Sequence, residues 1–210
     1  MKKLAIIGAG DLGQLIAHHA KQCGYTVVGF YDDFKEKGTV VDDVKLLGKL
    51  DEIQYGYQRG YFTCLMIAIG YKHMLFRMEL FETLYPKIEF ANIIHPSAYV
   101  DESCVLGQGI FILPSCSLDR NVQLGNNVLL NIGCTIAQDT NIGNHSFLSP
   151  SVSVAGFTKI GNCCTLGIGS TIIDNITIGD FIQTGAGAVV TKNLADAGLY
   201  LGVPAVLKQR

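Results

Sequence analysis

Gly8-Ala9-Gly10-Asp11-Leu12-Gly13 holds three glycines at a spacing that lets a backbone turn bring its N–H groups against a phosphate at the start of a helix. Downstream, Asp32-Asp33 closes a strand-like run, where a carboxylate can accept hydrogen bonds from ribose hydroxyls. Together these residues point to a ligand that carries a nucleotide. With no ligand, the glycines would be a tight turn and the aspartates a solvated strand end. Metal chemistry has no basis in the spacing, because no C-x-x-C or H-x-x-x-H pair occurs. The seven cysteines (Cys23, Cys64, Cys104, Cys116, Cys134, Cys163 and Cys164) are odd in number and lack paired spacing. Several stand where a thiol acts as a small apolar group, so they read as reduced structural cysteines of a cytoplasmic protein.

The glycine turn needs a βαβ frame, and its flanks supply one. Lys3 to Ile7 reads as a buried strand, Gln14 to Cys23 carries helical spacing through Leu15, Ile16 and Ala20, and Tyr25 to Phe30 is a second strand. Thr39 to Gly48 reads as a connection and Tyr61 to Ile69 as an apolar strand ending at Gly70. Lys72 to Leu84 is a helix stopped by Pro86, and Ile88 to Ile94 is a last short strand. His95 reads as a linker residue. About ninety residues are too few for a full doubly wound dinucleotide domain, so a nicotinamide oxidoreductase is a distant reading and a mononucleotide-linked ligand suits better.

Beyond residue 98 the period changes. An aliphatic residue returns at every sixth position from Val100 to Val190, and 15 of those 16 positions are Ile, Leu or Val, with Thr184 the exception. Six fits neither a helix nor a flat strand. It is the period of a parallel β-helix with three short faces per coil, and five coils stacked at about 4.8 Å make a prism roughly 25 Å long. The domains are therefore 1–94, an α/β Rossmann-like half domain, and 95–210, the β-helix with a C-terminal tail. A purely architectural solenoid would be a poor fibre at this length.

Composition narrows the partners. The chain has 210 residues, 49% of them hydrophobic, and a net charge of −2. No lysine-arginine cluster appears, so neither nucleic acid nor an anionic membrane is expected as a partner. The apolar run after Met1-Lys2-Lys3 is too short for a signal peptide, and no stretch is long enough to span a bilayer.

The unbroken repeat, with Gly185-Ala186-Gly187-Ala188-Val189-Val190-Thr191-Lys192 and Gly202-Val203-Pro204-Ala205, resembles the hexapeptide-repeat acyltransferases. That resemblance implies a left-handed coil, a homotrimer, and an acyl-CoA co-substrate, most simply acetyl-CoA. The glycine loop, Gly29-Phe30-Tyr31-Asp32-Asp33, Ala68-Ile69-Gly70 with Arg77, and Ile94-His95-Pro96-Ser97 extend it over the chain. The whole resembles the sugar acyltransferases that include the sialic acid O-acetyltransferases and the N-acetyltransferase of bacterial bacillosamine synthesis. By that resemblance Gly8, Gly10, Gly13, Asp32, Asp33 and Gly70 receive a nucleotide-linked amino sugar. Asn131 precedes the catalytic coil, Gly167, Ile168, Ala186 and Gly187 line the pantetheine arm, and Lys192 meets a coenzyme A phosphate.

The resemblance breaks at the chemistry. The family's base is a histidine, often followed by an acidic residue, and here that dipeptide is Gln138-Asp139; a second family histidine is replaced by Phe147. A glutamine amide accepts no proton at neutral pH. Three explanations stay open: an amine nucleophile that needs only positioning beside the thioester, a displaced base in Asp139 or His145, or a catalytically silent protein that only binds a nucleotide sugar. O-acylation is least favoured, since a hydroxyl needs the base more than an amine does. The expectation is an acetyl-CoA-dependent N-acyltransferase of a nucleotide-linked amino sugar, with the silent paralogue as the alternative.

Overall fold

The computed structural model describes residues 1–208 and divides into two compact units, Met1–Ile93 and Ile94–Arg210. In the first, β1 (Lys2–Ile7) has Leu4 to Ile7 fully buried and forms the middle of a parallel sheet. A strand apolar on both faces suits that position, because helices cover a parallel sheet on both sides. The chain continues through α1 (Asp11–Gln22), β2 (Tyr25–Tyr31), β3 (Val40–Val41), β4 (Val44–Gly48), α2 (Ile53–Gln58), β5 (Cys64–Ile67), α3 (Met74–Leu84) and β6 (Glu89–Phe90). The strand order is β3-β4-β2-β1-β5-β6, parallel throughout except for β3 against β4.

Three stretches differ from the sequence reading. Residues 39–48 are a hairpin whose second strand joins the sheet beside β2. Asp42 and Asp43 turn it with φ of 47° and 63°, the mirror-image turn that matches strand twist and that aspartate tolerates. Residues 50–58 form a 3-10 turn running into α2, with Ile53 buried. The last strand expected from Ile88 to Ile94 is split into Glu89–Phe90 and Ile93–Ile94.

The second unit is a left-handed parallel β-helix with two-residue strands on three faces. Face A carries Phe111–Ile112, Leu129–Leu130, Phe147–Leu148, Thr165–Leu166 and Ile182–Thr184. Face B carries Tyr99–Val100, Ser117–Leu118, Thr135–Ile136, Ser153–Val154, Thr171–Ile172 and Val189–Val190. Face C carries Val105–Leu106, Gln123–Leu124, Asn141–Ile142, Lys159–Ile160 and Thr177–Ile178. From strand to strand the partner lies eighteen residues ahead, as in Leu118 to Ile136 and Leu124 to Ile142. The sixth-position aliphatic residues fill the axis, so each coil's core is completed only by its neighbours. Thr184 keeps its place there by accepting from the Gly167 N–H at 2.9 Å and bonding the Ser170 hydroxyl at 2.7 Å.

Where face C turns into face A, side chains tie one coil to the next. Asn126 Oδ1 accepts from the Gln108 N–H, Asn144 Oδ1 from Asn126, Asn162 Oδ1 from Asn144, and Asp180 Oδ1 from Asn162, at 2.6–2.9 Å. The residue before each rung is glycine. A Cβ at Gly143 would stand 2.6 Å from the Gly161 carbonyl and 2.8 Å from the Asn162 nitrogen, so only hydrogen fits. At the far end Gly198–Leu201 pairs in parallel with Ile182–Thr184, and Val206–Leu207 folds back antiparallel upon it.

Candidate functional site

The C-terminal ends of β1, β2 and β5 meet at a cleft of about 240 Å³ lined by Gly8, Asp32, Asp33, Phe34, Leu50, Ile69, His73 and Phe76. Gly8 has φ of 102° and lies against the Ala68 carbonyl, a backbone setting that excludes larger residues. Gly13 is fixed by packing, since a Cβ there would sit 2.1 Å from the Gly8 oxygen. Gly10 is different: nothing lies within 4 Å of its missing side chain, and as N-cap of α1 it makes no side-chain cap. The first N–H groups of that helix are therefore open to an anion at its positive end.

The two aspartates divide the work. Asp32 Oδ2 accepts from the Ala9 N–H and Oδ1 from the Phe34 N–H, both at 2.8 Å, so this carboxylate ties the glycine turn to the end of β2. Asp33 Oδ1 accepts from the Leu50 N–H at 2.9 Å, and its Oδ2 has no partner among the described residues. Lys49 Nζ donates to the carbonyl oxygens of Asp33 and Lys35, the latter at 3.1 Å, and so holds the loop that follows. Gly70 caps the 3-10 turn Tyr71–His73 that leads into α3, with the His73 N–H donating to its carbonyl at 3.1 Å. Spacing alone missed Phe34, Leu50, Ile69, His73 and Phe76; the aromatic residue directly after Asp32-Asp33 was the one available hint.

In the β-helix the candidates sort by edge. Asn131, Gly167, Ile168, Ala186 and Gly187 all lie where face A turns into face B, in line along the axis. Gly187 has φ of 66° and its N–H donates to the Ile168 carbonyl at 2.8 Å, while Ile168 itself is exposed. Asn131 Oδ1 is turned back onto the Ile132 N–H at 2.8 Å. Gln138 and Asp139 lie on the next edge, between faces B and C, and Lys192 follows Gln138 on that edge three coils of eighteen residues later.

The three residues weighed for proton transfer are not brought together. Gln138 lies over Gly156 of the next coil, so closely that a Cβ there would be 2.8 Å from its Nε2. Asp139 accepts from Asn121 Nδ2 at 3.0 Å and stands 3.8 Å from the Arg120 guanidinium, which directs it along face C. His145 occupies the third edge. The sequence reading left it as a displaced base or an exposed residue, but it is only 4% exposed and its Nδ1 lies 3.1 Å from Asn127 Nδ2. His145 is thus buried at the corner between faces C and A, a different edge from that of Gln138. No group of metal ligands occurs among the described residues. The seven cysteines are free, and no helix there is long and apolar enough to cross a membrane.

Comparison with known proteins fits this geometry. Residues 3–84 match the family model of the PglD N-terminal domain. Over 100% of its length the chain superposes on 98% of perosamine N-acetyltransferase from Caulobacter crescentus, solved as a histidine-to-asparagine mutant with CoA and GDP-perosamine. The TM-score is 0.94 at 28% identity. The acetyltransferase domain of PglB from Neisseria gonorrhoeae, also solved with acetyl coenzyme A, matches 99% of the chain over 100% of its own length, with TM-score 0.90 and 26% identity. WeeI from Acinetobacter baumannii shares the fold over 98% of the chain and 99% of its own, with TM-score 0.84 at 20% identity. No protein of curated function matches in sequence.

Proposed function

Since the chain belongs to the sugar acyltransferases, we propose that it transfers an acetyl group from acetyl-CoA to the amine of a nucleotide-linked amino sugar. The observation that carries this reading is the full-length match to an enzyme solved with CoA and GDP-perosamine, both units included. In this reading the open start of α1 takes the diphosphate of the sugar nucleotide, Gly8, Gly10 and Gly70 leave it room, and Asp33 meets the nucleoside. Asp32 positions the turn. Asn131, Gly167, Ile168, Ala186 and Gly187 give the pantetheine arm an edge of small residues and exposed backbone, and Lys192 takes a coenzyme A phosphate.

The five pantetheine residues stand on one edge of the β-helix, while Gln138 and Lys192 stand on another. One chain cannot bring its own edges together. Two copies side by side can, and because each copy offers one edge of each kind, the contact runs head to tail and closes as a ring, three copies for a three-sided prism. Free thiols throughout suit a cytoplasmic enzyme.

The reaction needs little from Gln138. The amine lone pair attacks the thioester carbonyl carbon, the C–S bond breaks, the amine proton passes to solvent or to the departing sulfur, and amide and free thiol remain. An amine with some free base at neutral pH requires positioning more than a protein base. A second reading, a silent sugar-nucleotide-binding protein, is favoured by Gln138 alone.

Thiol release from acetyl-CoA, followed against GDP-, UDP- and dTDP-linked amino sugars, separates the two. We expect turnover by the unaltered protein, and on Gln138→His a rise of about 10²-fold with a new inflection near pH 6.5, the ordinary histidine range. Silence from the unaltered protein with activity gained by Gln138→His would identify a lost base, and silence from both with sugar nucleotide still bound would replace the catalytic reading by the silent one.

A further inference from the structure

Phe34 is 98% exposed at the mouth of the nucleotide cleft, an unusual setting for so large an apolar ring. Its backbone is nonetheless fixed. The Phe34 N–H is held by Asp32, and Lys49 grips the carbonyls of Asp33 and Lys35 on either side. An aromatic ring presented by a pinned loop has lost its backbone entropy before any ligand arrives. Phe76, 45% exposed on α3, lines the same cleft. The strand order puts β2 and β5 on opposite sides of β1, so the two rings come from elements that flank Gly8. Leu50 and Ile69 complete an apolar lining whose one acidic atom without a partner is Asp33 Oδ2.

Resting on the reading of this cleft as a nucleotide site, we propose that it selects a guanine base, with Phe34 and Phe76 covering its faces and Asp33 reading its edge. Two phenylalanines offer stacking area that a two-ring base covers more fully than a one-ring base. The carboxylate decides among bases. Ionised, it only accepts hydrogen bonds, and after Leu50 its remaining lone pairs suit two adjacent donors. Guanine alone presents that pair, the ring N1–H beside the exocyclic N2–H. Adenine and cytosine would turn a ring-nitrogen lone pair toward the carboxylate, and uracil or thymine would set a carbonyl on each side of their single N–H. A base that covers this carboxylate with an acceptor leaves both groups without water or a donor, which is a ground for rejection.

Calorimetric titration of the full chain with GDP, ADP, UDP and dTDP tests this. GDP is expected to bind at least about tenfold more tightly than the others, and Phe34→Ala to weaken GDP by about tenfold, the scale of a lost base–aromatic stack, with Phe34→Tyr restoring it. Asp33→Asn keeps an oxygen for the Leu50 N–H but adds donors where guanine needs an acceptor, so GDP should weaken while UDP, whose carbonyls the amide can meet, tightens, and the gap between them closes. UDP or dTDP binding as tightly as GDP, or Phe34→Ala leaving GDP unaffected, overturns the proposal while the transferase reading stands. Binding of no nucleotide at all would remove the nucleotide site itself, and this inference with it. Phe34 touches so little that its replacement leaves the fold intact, which far-ultraviolet dichroism checks.

Discussion

Tyr31 ends β2 with its ring 5.8 Å from that of Phe62 and its hydroxyl in the space a side chain at Gly56 would need. Burial first, and the nearby Glu52 carboxylate second, push its phenol up to about 12. The unfolded phenol ionises near pH 10. The folded state therefore keeps the proton longer, so Tyr31 contributes its full share of stability below pH 10 and loses it as pH rises through about 12. Melting temperatures at pH 8 and pH 11 should fall less steeply for Tyr31→Phe than for the unaltered chain. At pH 8 the variant should be no less stable, because among the described residues the hydroxyl has no hydrogen-bond partner to lose. The same scale shows what a sequence can and cannot convey about a site. Glycine spacing located the turn, and the Asp32-Asp33 pair marked the strand end. Which aspartate keeps an uncommitted carboxylate oxygen depended on Ala9 and Phe34 reaching Asp32 first, a contact 23 residues apart in one case that no local pattern carries.

Among the elements, the corner between faces C and A combines tight glycine clearances with a ladder of side-chain rungs. Gly143→Ala would press a methyl group into backbone atoms of the next coil that cannot move aside, and should cost about 1–3 kcal/mol in urea unfolding. Asn144→Ala removes only the rung that satisfies the Asn126 N–H and should cost about 1 kcal/mol. The reverse order would mean that the ladder, not the clearance, holds the corner. The six-residue period made the strands of this unit legible because one side chain per face must reach a common axis. The hairpin at 40–48 was opaque for the opposite reason: its Asp42-Asp43 turn has no glycine, and two-residue and five-residue strands are too short to show alternation. His145 misled as well, since a polar side chain in a repeat reads as exposed until Asn127 is seen beside it.

At the scale of the whole molecule, the residues proposed for the pantetheine arm and Gln138 stand on different edges of the β-helix, and in the proposed reading it is assembly that completes the site. Sedimentation equilibrium is expected to give three times the 22.7 kDa chain mass, and specific activity should fall on dilution below the assembly range. A fully active monomer would show that one edge suffices. Repetition poses a different question at the end of the coil. A stack in which every turn is the template for the next contains no instruction to stop, and its last strand is an invitation to another chain. The reversal at Val206–Leu207 answers it: an antiparallel strand laid over Gly198–Leu201 breaks the register that a further parallel turn would need. On face A those few residues act as a terminator, putting a strand of the wrong direction where a further parallel turn would have to pair.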